Sequence, residues 1–147
     1  MREYTKDKYG VDVLKVEVPV NMQFAAGSRA CQGASAYAKS EVMEHFRSAA
    51  EAAERPFIYL SAGVSNEVFT ESLEWAAESG AKFSGVLCGR ATWQEAIPIY
   101  CQQGVVALDD WLGTRGAENI GHINDRLEAA TPWYSFYGAD SAAALRT

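Results

Sequence analysis

The sequence feature that most constrains the fold is a lysine inside an apolar, β-branched run at residues 11–19, which reads Val-Asp-Val-Leu-Lys-Val-Glu-Val-Pro. A run of this composition predicts a β-strand that ends at Pro19. Because successive side chains point to opposite faces, Lys15 and Glu17 should share one face of the strand. The other face is wholly apolar and suits a layer of covering helices.

The lysine in this strand has two interpretations. A lysine that is desolvated in a covered face loses its charge readily and becomes a nucleophilic amine, which can form a Schiff base with a carbonyl substrate. On an edge strand, Lys15 would instead guard against aggregation, with Glu17 as a surface partner. The strand alone does not choose between a catalytic amine and an edge guard.

Strand and helix signals alternate along the rest of the chain. Apolar runs at residues 57–63 and 83–90 predict two further buried strands, and helical periodicity follows each strand. Ser40 is the predicted N-cap of the first helix, and Pro98 should kink the helix after the third strand. The order of strand, helix, strand, helix, strand and helices favours parallel pairing with right-handed crossovers.

The domain organisation is that of one partial α/β unit spanning residues 1–147. Three parallel strands make a thin sheet whose two faces both need cover, so the chain resembles the end of a larger unit. Residues 20–38 lack periodicity and contain Gly27 and Gly33. We predict a variable active-site loop at residues 21–38, and a disordered insertion is the equal alternative.

Composition excludes several function classes. The 13 Lys and Arg residues against 19 Asp and Glu give a net charge of -6 without a basic stretch, which argues against nucleic-acid binding but not against a small anion. No run reaches the ~18 apolar residues of a transmembrane helix, and the charged N-terminus lacks a signal-peptide core. Cys31, Cys88 and Cys101 form no CxxC pair, which favours a reducing cytosol. His45 and His122 lie apart without ligand-like neighbours, which argues against zinc.

The ends of the predicted strands carry the chemistry. In parallel α/β folds the carboxyl ends of the strands hold the active site, and here they carry Ser61, Gly63, Gly89 and Arg90. The glycines permit close backbone approach by a ligand, and an arginine before a helix N-terminus suits phosphate. Together with Lys15, this set fits a Schiff-base enzyme acting on a phosphorylated carbonyl compound. Taken singly, the residues are equally a polar filler, turn glycines and a surface ion-pair partner.

Three segments carry a resemblance to a known family. They are Tyr-Gly-Val-Asp-Val-Leu-Lys-Val-Glu-Val-Pro-Val-Asn at 9–21, Tyr-Leu-Ser-Ala-Gly-Val at 59–64 and Gly-Val-Leu-Cys-Gly-Arg-Ala-Thr-Trp at 85–93. They resemble the tagatose 1,6-bisphosphate aldolase family of class I aldolases, which are (β/α)8 barrels, and the resemblance covers most of residues 9–135. It implies the C-terminal part of a TIM (β/α)8 barrel, with strands six to eight and their helices.

The resemblance also implies roles for individual residues. Lys15 matches the Schiff-base lysine on the sixth strand, and Ser61 on the seventh matches a residue near the substrate phosphate. Leu87 and Gly89 match backbone phosphate contacts at the end of the eighth strand, and Arg90 matches the phosphate-binding arginine. Such aldolases need no metal or other cofactor. Their lysine forms an iminium with dihydroxyacetone phosphate, which accepts electrons when the carbon–carbon bond breaks.

The implied function is cleavage of a ketose 1,6-bisphosphate, such as tagatose 1,6-bisphosphate, into dihydroxyacetone phosphate and glyceraldehyde 3-phosphate in the cytoplasm. A full barrel takes ~250 residues, so this chain would supply only three strands. The family's acidic proton-transfer residue belongs to an earlier strand and has no match here. The expected partners are therefore a phosphorylated sugar and either a second copy of the chain, in a homo-oligomer, or a complementary N-terminal half-barrel.

Three other functions stay open from the sequence. A sulfofructose-phosphate aldolase shares the same framework. A non-catalytic phosphate-binding or regulatory half-barrel would keep the anion site without turnover. A plain α/β interaction module would carry Lys15 only as an edge-strand residue, and its replacement would then leave any activity unchanged.

Overall fold

The computed structural model describes residues 1–145 and contains a three-stranded parallel sheet. Its strands are β1 (Leu14–Glu17), β2 (Phe57–Leu60) and β3 (Val86–Leu87), arranged in the order β1-β2-β3. Both pairs of neighbouring strands are parallel. The predicted alternation of strands and helices in a parallel α/β fold is therefore confirmed.

Six α-helices accompany the sheet within residues 1–145. They are α1 (Lys39–Glu51), α2 (Asn66–Glu78), α3 (Arg90–Trp93), α4 (Ala96–Gln103), α5 (Val105–Trp111) and α6 (Ala117–Arg126). Along the chain, α1 connects β1 to β2, and α2 connects β2 to β3. A π-helical turn at Leu112–Gly116 joins α5 to α6. No helix within residues 1–145 is long and apolar enough to cross a membrane.

Two helix boundaries differ from the sequence-based expectation. The predicted N-cap at Ser40 is wrong, because α1 already begins one residue earlier and the Ala38 N–H donates to the Glu41 carboxylate over 2.7 Å. The acidic residue in the first turn thus accepts from the backbone N–H of the N-cap residue, which is the part of a capping box that the N3 side chain supplies. Pro98 lies in the first turn of α4 and produces a complete break between α3 and α4. The break is expected because the proline ring clashes with the carbonyl of residue 94 in a continuous helix.

One face of the sheet is covered by helices, as the strand pattern predicts. Tyr59 on β2 is 1% exposed and forms the centre of an aromatic cluster. Its ring centroid lies 5.3 Å from that of Phe57, 5.4 Å from that of Phe83 and 6.1 Å from that of Phe46 in α1. Burial raises the pKa of the Tyr59 hydroxyl above its ordinary value. This aromatic cluster is the core that fixes the sheet against its helices.

The opposite face of the sheet is open in the part of the chain that the structure describes. Lys15 and Glu17 on β1 are exposed, Ile58 and Leu60 on β2 are half-buried, and Leu87 on β3 is 50% exposed. The outer edges of β1 and β3 pair with no described strand. Any site that uses Lys15 must therefore form on this open face.

The segment after β1 closes on itself at its base. The Ala26 N–H donates to the Tyr37 carbonyl over 2.8 Å, and the Ala36 N–H donates to the Phe24 carbonyl over the same distance. Ala25 is fully buried beneath these bonds, whereas residues 32–38 are exposed. The segment is thus a compact loop with a fixed base and an exposed tip. Its role at an active site stays a prediction.

A buried carboxylate fixes the near side of this loop to α2. Glu71 is 3% exposed and accepts hydrogen bonds from the Ser28 hydroxyl (2.7 Å) and the Arg29 N–H (3.0 Å). The Arg29 guanidinium also lies 3.5 Å from the same carboxylate. Because a buried carboxylate needs donors to offset its lost hydration, these contacts hold residues 28–29 firmly against the helix.

Candidate functional site

The three strands end level with one another, which defines the carboxyl edge of the sheet. In the strand register Glu17 pairs with Leu60, and Leu60 pairs with Leu87. The residues that follow β2 and β3 are therefore neighbours at one edge. Lys15 pairs with Ile58, so its α-carbon lies two residues, or roughly 7 Å, below that edge.

Lys15 lies on the open face and is exposed. Residues 1–145 provide no carboxylate within ion-pair distance of its amine. The desolvated surroundings that the sequence suggested are therefore not formed by this chain alone, because no described element packs over that face. A covering element would have to supply them.

A strained turn follows β2 at the carboxyl edge. The Val64 N–H donates to the Ser61 carbonyl over 3.1 Å, which closes a four-residue turn. Its central residues are Ala62 with a φ of 50° and Gly63 with a φ of 83°. Ala62 is the one non-glycine residue with positive φ in the described chain, and this conformation costs an L-residue about 1–2 kcal/mol. Backbone strain of this kind is concentrated at functional sites.

The turn brings Gly63 against the Arg90 side chain. A Cβ placed on Gly63 would lie 2.7 Å from Cζ of Arg90 and 2.9 and 3.0 Å from its two terminal nitrogens. The guanidinium therefore lies directly against the Gly63 α-carbon, a position that only glycine permits. Arg90 itself is exposed and has no carboxylate partner among residues 1–145. Its cationic group is thus held at the carboxyl edge and is free to bind an anion.

Three side chains that the sequence analysis did not single out hold this arrangement together. The Gln94 side-chain amide donates to the Val64 carbonyl over 3.2 Å and so ties α3 to the turn after β2. The buried Asn119 side-chain amide donates to the Thr92 carbonyl over 3.1 Å, and the Asn119 backbone carbonyl accepts from the Asn66 side-chain amide over 2.9 Å. These polar contacts join residues 27 to 53 positions apart, so no local pattern in the sequence signals them.

The region after β3 is shorter than the sequence suggested. Gly89 precedes α3, which has only four residues, so Arg90 starts a single helical turn rather than a long helix. The Thr92 hydroxyl donates to the Gly89 carbonyl over 2.6 Å, and the Trp93 indole nitrogen would lie 3.4 Å from a Cβ on Gly89. Burial raises the pKa of the neighbouring Cys88 thiol, which disfavours a thiolate nucleophile at this edge.

Ser61 occupies a different environment from the other predicted site residues. It is 6% exposed and lines a cavity of about 260 Å³ together with Glu17, Asn21, Val68 and other residues at the carboxyl ends of β1 and β2. The structure thus places Gly63, Gly89 and Arg90 around one edge, with Lys15 and Leu87 on the open face beside it. Ser61 lies towards α2 instead.

The carboxyl edge and the open face beside it offer an amine, from Lys15, and a guanidinium, from Arg90. Among the described residues, no group of three His, Cys, Asp or Glu side chains could hold a metal ion. A larger cavity of about 490 Å³ lies at the amino ends of the strands, lined by Arg55, Phe57, Lys82 and neighbouring residues. Neither Lys15 nor Arg90 lines this larger cavity.

Comparison with known proteins gives one family and a consistent set of relatives. Residues 3–95 match the model of the DeoC/LacD family aldolases. The chain is 45% identical over 140 residues to a protein from Listeria monocytogenes serotype 4a (strain HCC23) named tagatose 1,6-diphosphate aldolase, covering 95% of this chain and 41% of that protein. It is 48% identical over 134 residues to tagatose 1,6-diphosphate aldolase 2 of Streptococcus pyogenes serotype M1, covering 90% of this chain and 40% of that protein. The chain thus spans about two fifths of the length of these curated relatives.

Proposed function

Since this chain belongs to the DeoC/LacD family of aldolases, we propose that it is the part of a class I aldolase that carries the Schiff-base lysine. The enzyme would be a carbon–carbon lyase that cleaves a ketose 1,6-bisphosphate, with tagatose 1,6-bisphosphate as the first substrate to test. The names of the relatives support this substrate class. The products would be dihydroxyacetone phosphate and glyceraldehyde 3-phosphate, and the reaction would take place in the cytoplasm.

The proposed fold of the complete enzyme is a TIM (β/α)8 barrel in which β1, β2 and β3 are strands six, seven and eight. Two observations support this assignment. The chain spans about two fifths of its relatives, and both outer strand edges lack a partner among the described strands. In a closed barrel these edges would pair and the open face would become the inner wall.

The proposed catalytic group is the Lys15 amine. It would attack the substrate carbonyl carbon and form an iminium, and the electrons of the breaking carbon–carbon bond would flow into that iminium. The observation that carries this proposal is the position of Lys15 on the open face, two residues below the edge where Arg90 lies against Gly63. An amine on the open face and a guanidinium beyond the carboxyl edge suit a substrate that carries both a carbonyl and a phosphate.

The proposed phosphate site combines side-chain and backbone groups at the carboxyl edge. Arg90 would supply the charge, because guanidinium forms strong, paired hydrogen bonds with phosphate. Gly63 and Gly89 would let the phosphate approach the backbone, and Leu87 would contribute its main chain at the end of β3. Ser61 would bind through the turn that it begins, since its side chain lies in the cavity next to α2.

The proposed partners follow from the open face. A second copy of the chain, or a polypeptide that supplies the first five barrel strands, would cover Lys15 and pair with the free strand edges. An exposed edge strand is otherwise a template for aggregation. The half-buried aliphatic side chains of Ile58 and Leu60 beside Lys15 give such a partner an apolar surface to cover.

The test is borohydride reduction of the chain in the presence of dihydroxyacetone phosphate, followed by intact mass measurement and peptide mapping. We expect a substrate adduct on Lys15 that is absent from Lys15→Ala. Lys82→Ala is the control variant and should keep the adduct, since Lys82 lines the cavity at the amino ends of the strands. Because Lys15 is exposed, its replacement should leave the thermal unfolding unchanged. An adduct that persists in Lys15→Ala would contradict the assignment.

A second candidate function is a non-catalytic, phosphate-binding half-barrel. The exposure of Lys15 favours it, because no described element covers the amine. In that case the folded chain would bind dihydroxyacetone phosphate at Arg90 without forming an adduct. Trapping that appears once the separately expressed first five strands of a relative are added would instead support the aldolase and contradict this second candidate.

A further inference from the structure

The open face of the sheet carries a carboxylate beside the lysine. We propose that Glu17 is a second catalytic residue, which carries protons during formation of the Schiff base on Lys15. This inference rests on the proposed function and deepens it. It concerns the step in which the iminium forms, which is distinct from the cleavage step that the family's acidic residue on an earlier strand would serve.

The register and sequence of the strands single out this pair. The three strands read Leu-Lys-Val-Glu, Phe-Ile-Tyr-Leu and Val-Leu, so Lys15 and Glu17 are their two charged residues. Both are exposed and lie on the same face, two residues apart. Their α-carbons are thus separated by roughly 7 Å, a distance that leaves room for a carbonyl group between the side chains.

The surroundings of this pair are aliphatic. Ile58 lies next to Lys15 on β2, Leu60 lies next to Glu17, and Leu87 on β3 lies next to Leu60. No cation of the described chain lies within ion-pair distance of the Glu17 carboxylate. Among the residues of the three strands Lys15 is the one cation, and Arg90 lies beyond the carboxyl end of the far strand β3.

Glu17 also lies on the side of Lys15 from which a substrate would approach. It lies at the carboxyl edge, level with Leu60, whereas Lys15 lies one step lower. A ligand whose phosphate binds at Arg90 enters from that edge, so its carbonyl oxygen reaches Glu17 as its carbon reaches Lys15. The cavity on the other side of Glu17 is lined by the neutral Asn21 and Gln23, so it adds no competing charge.

The proton balance of the step is closed by these two residues. The Glu17 carboxylate takes one proton from the Lys15 ammonium, and the neutral amine then adds to the carbonyl carbon with formation of a carbon–nitrogen bond. A second proton passes from nitrogen to oxygen, which gives a carbinolamine. The Glu17 carboxyl returns its proton to the hydroxyl, the carbon–oxygen bond breaks, and water leaves as the iminium forms. Glu17 ends as the carboxylate with which it began.

The experiment measures the rate of borohydride trapping with dihydroxyacetone phosphate as a function of pH, for the whole chain and four variants. We expect Glu17→Gln to slow trapping about 100-fold, within the range of general acid–base catalysis, and to remove the limb of the pH profile that reports a carboxylate. Glu17→Asp should restore part of the rate. Glu51→Gln is the matched control, since Glu51 is exposed on α1 at the opposite end of the sheet.

The outcomes separate this inference from the function on which it rests. One outcome would overturn the role of Glu17 alone. In it, trapping on Lys15 is lost in Lys15→Ala, but its rate and pH profile are the same in Glu17→Gln as in the wild-type chain. Absence of trapping in the wild-type chain, both alone and with the separately expressed first five strands of a relative added, would overturn the Schiff-base function, and the role of Glu17 with it. Slow trapping in Glu17→Gln together with partial rescue by aspartate supports the inference.

Discussion

Replacing Gly63 by alanine should displace the Arg90 guanidinium, and its effect on phosphate binding can be measured apart from its effect on the stability of the fold. The new Cβ would meet Cζ of Arg90 at 2.7 Å and its terminal nitrogens at 2.9 and 3.0 Å, well inside contact distance. The guanidinium is the end of a long side chain, so it should swing away while the backbone stays in place. The proposed phosphate site at the carboxyl edge would then lose its cation.

The size of the effect follows from the contacts that are lost. A hydrogen bond to a charged group contributes about 1.5–3 kcal/mol, so the affinity for dihydroxyacetone phosphate should fall roughly 10- to 100-fold. A separate effect acts on folding, because Gly63 has a φ of 83° and an L-residue in that region costs about 1–2 kcal/mol.

Gly80 provides the matched control for this strain. Its φ is 81°, and no heavy atom lies within 4 Å of a Cβ placed there. Gly80→Ala should therefore show the same loss of unfolding free energy in urea while keeping wild-type affinity in calorimetric titration with dihydroxyacetone phosphate. Arg90→Ala sets the scale for complete loss of the cation. Equal affinities of Gly63→Ala and Gly80→Ala would refute the reasoning.

Two further predictions concern the scaffold of the site. Glu71→Ala should lower the unfolding free energy measured in urea by about 2–3 kcal/mol, because it leaves the Ser28 hydroxyl and the Arg29 N–H without their buried acceptor. The control Glu78→Ala in the same helix removes only an exposed ion pair with Lys39 and should cost under about 1 kcal/mol. Equal losses in the two variants would contradict this account. Tyr59→Phe should be neutral or slightly stabilising in thermal unfolding, because the Tyr59 hydroxyl is buried without a partner among the described residues. Burial raises the pKa of Tyr59 in the folded protein, so above a pH of about 10 the unfolded chain loses this proton more readily than the folded one. The wild-type protein should therefore lose stability as the pH rises above about 10, and Tyr59→Phe should lose less. A steeper loss in the variant would be inconsistent with the burial of this hydroxyl.

The sequence was sufficient to predict those parts of the fold that depend on local alternation and order. The two faces of β1 follow from the strand period, and the parallel pairing follows from the alternation of strands and helices. Glycine and arginine at the ends of β2 and β3 had to meet at one edge, because parallel strands end on the same side of a sheet. Their roles in binding remain a prediction.

The features that escaped the sequence depend on contacts over long separations or on what covers a surface. Lys15 is exposed because no described element lies over its face of the sheet. The alternation of residues along the strand does not indicate whether such an element is present. The Glu71 carboxylate accepts from Ser28 across 43 residues, and Gln94 reaches Val64 across 30. The direction of Ser61 towards α2, by contrast, follows from continuation of the strand period past Leu60.

The closed base of the loop after β1 makes its tip a natural place for the chain to change in length. Hydrogen bonds between Ala26 and Tyr37 and between Ala36 and Phe24 already hold the two ends together. Lengthening the exposed tip at residues 32–35 therefore adds only loop-closure entropy, roughly 0.6 kcal/mol for each doubling. Evolution can vary this tip, and an experimenter can graft a reporter peptide into it, without disturbing the sheet.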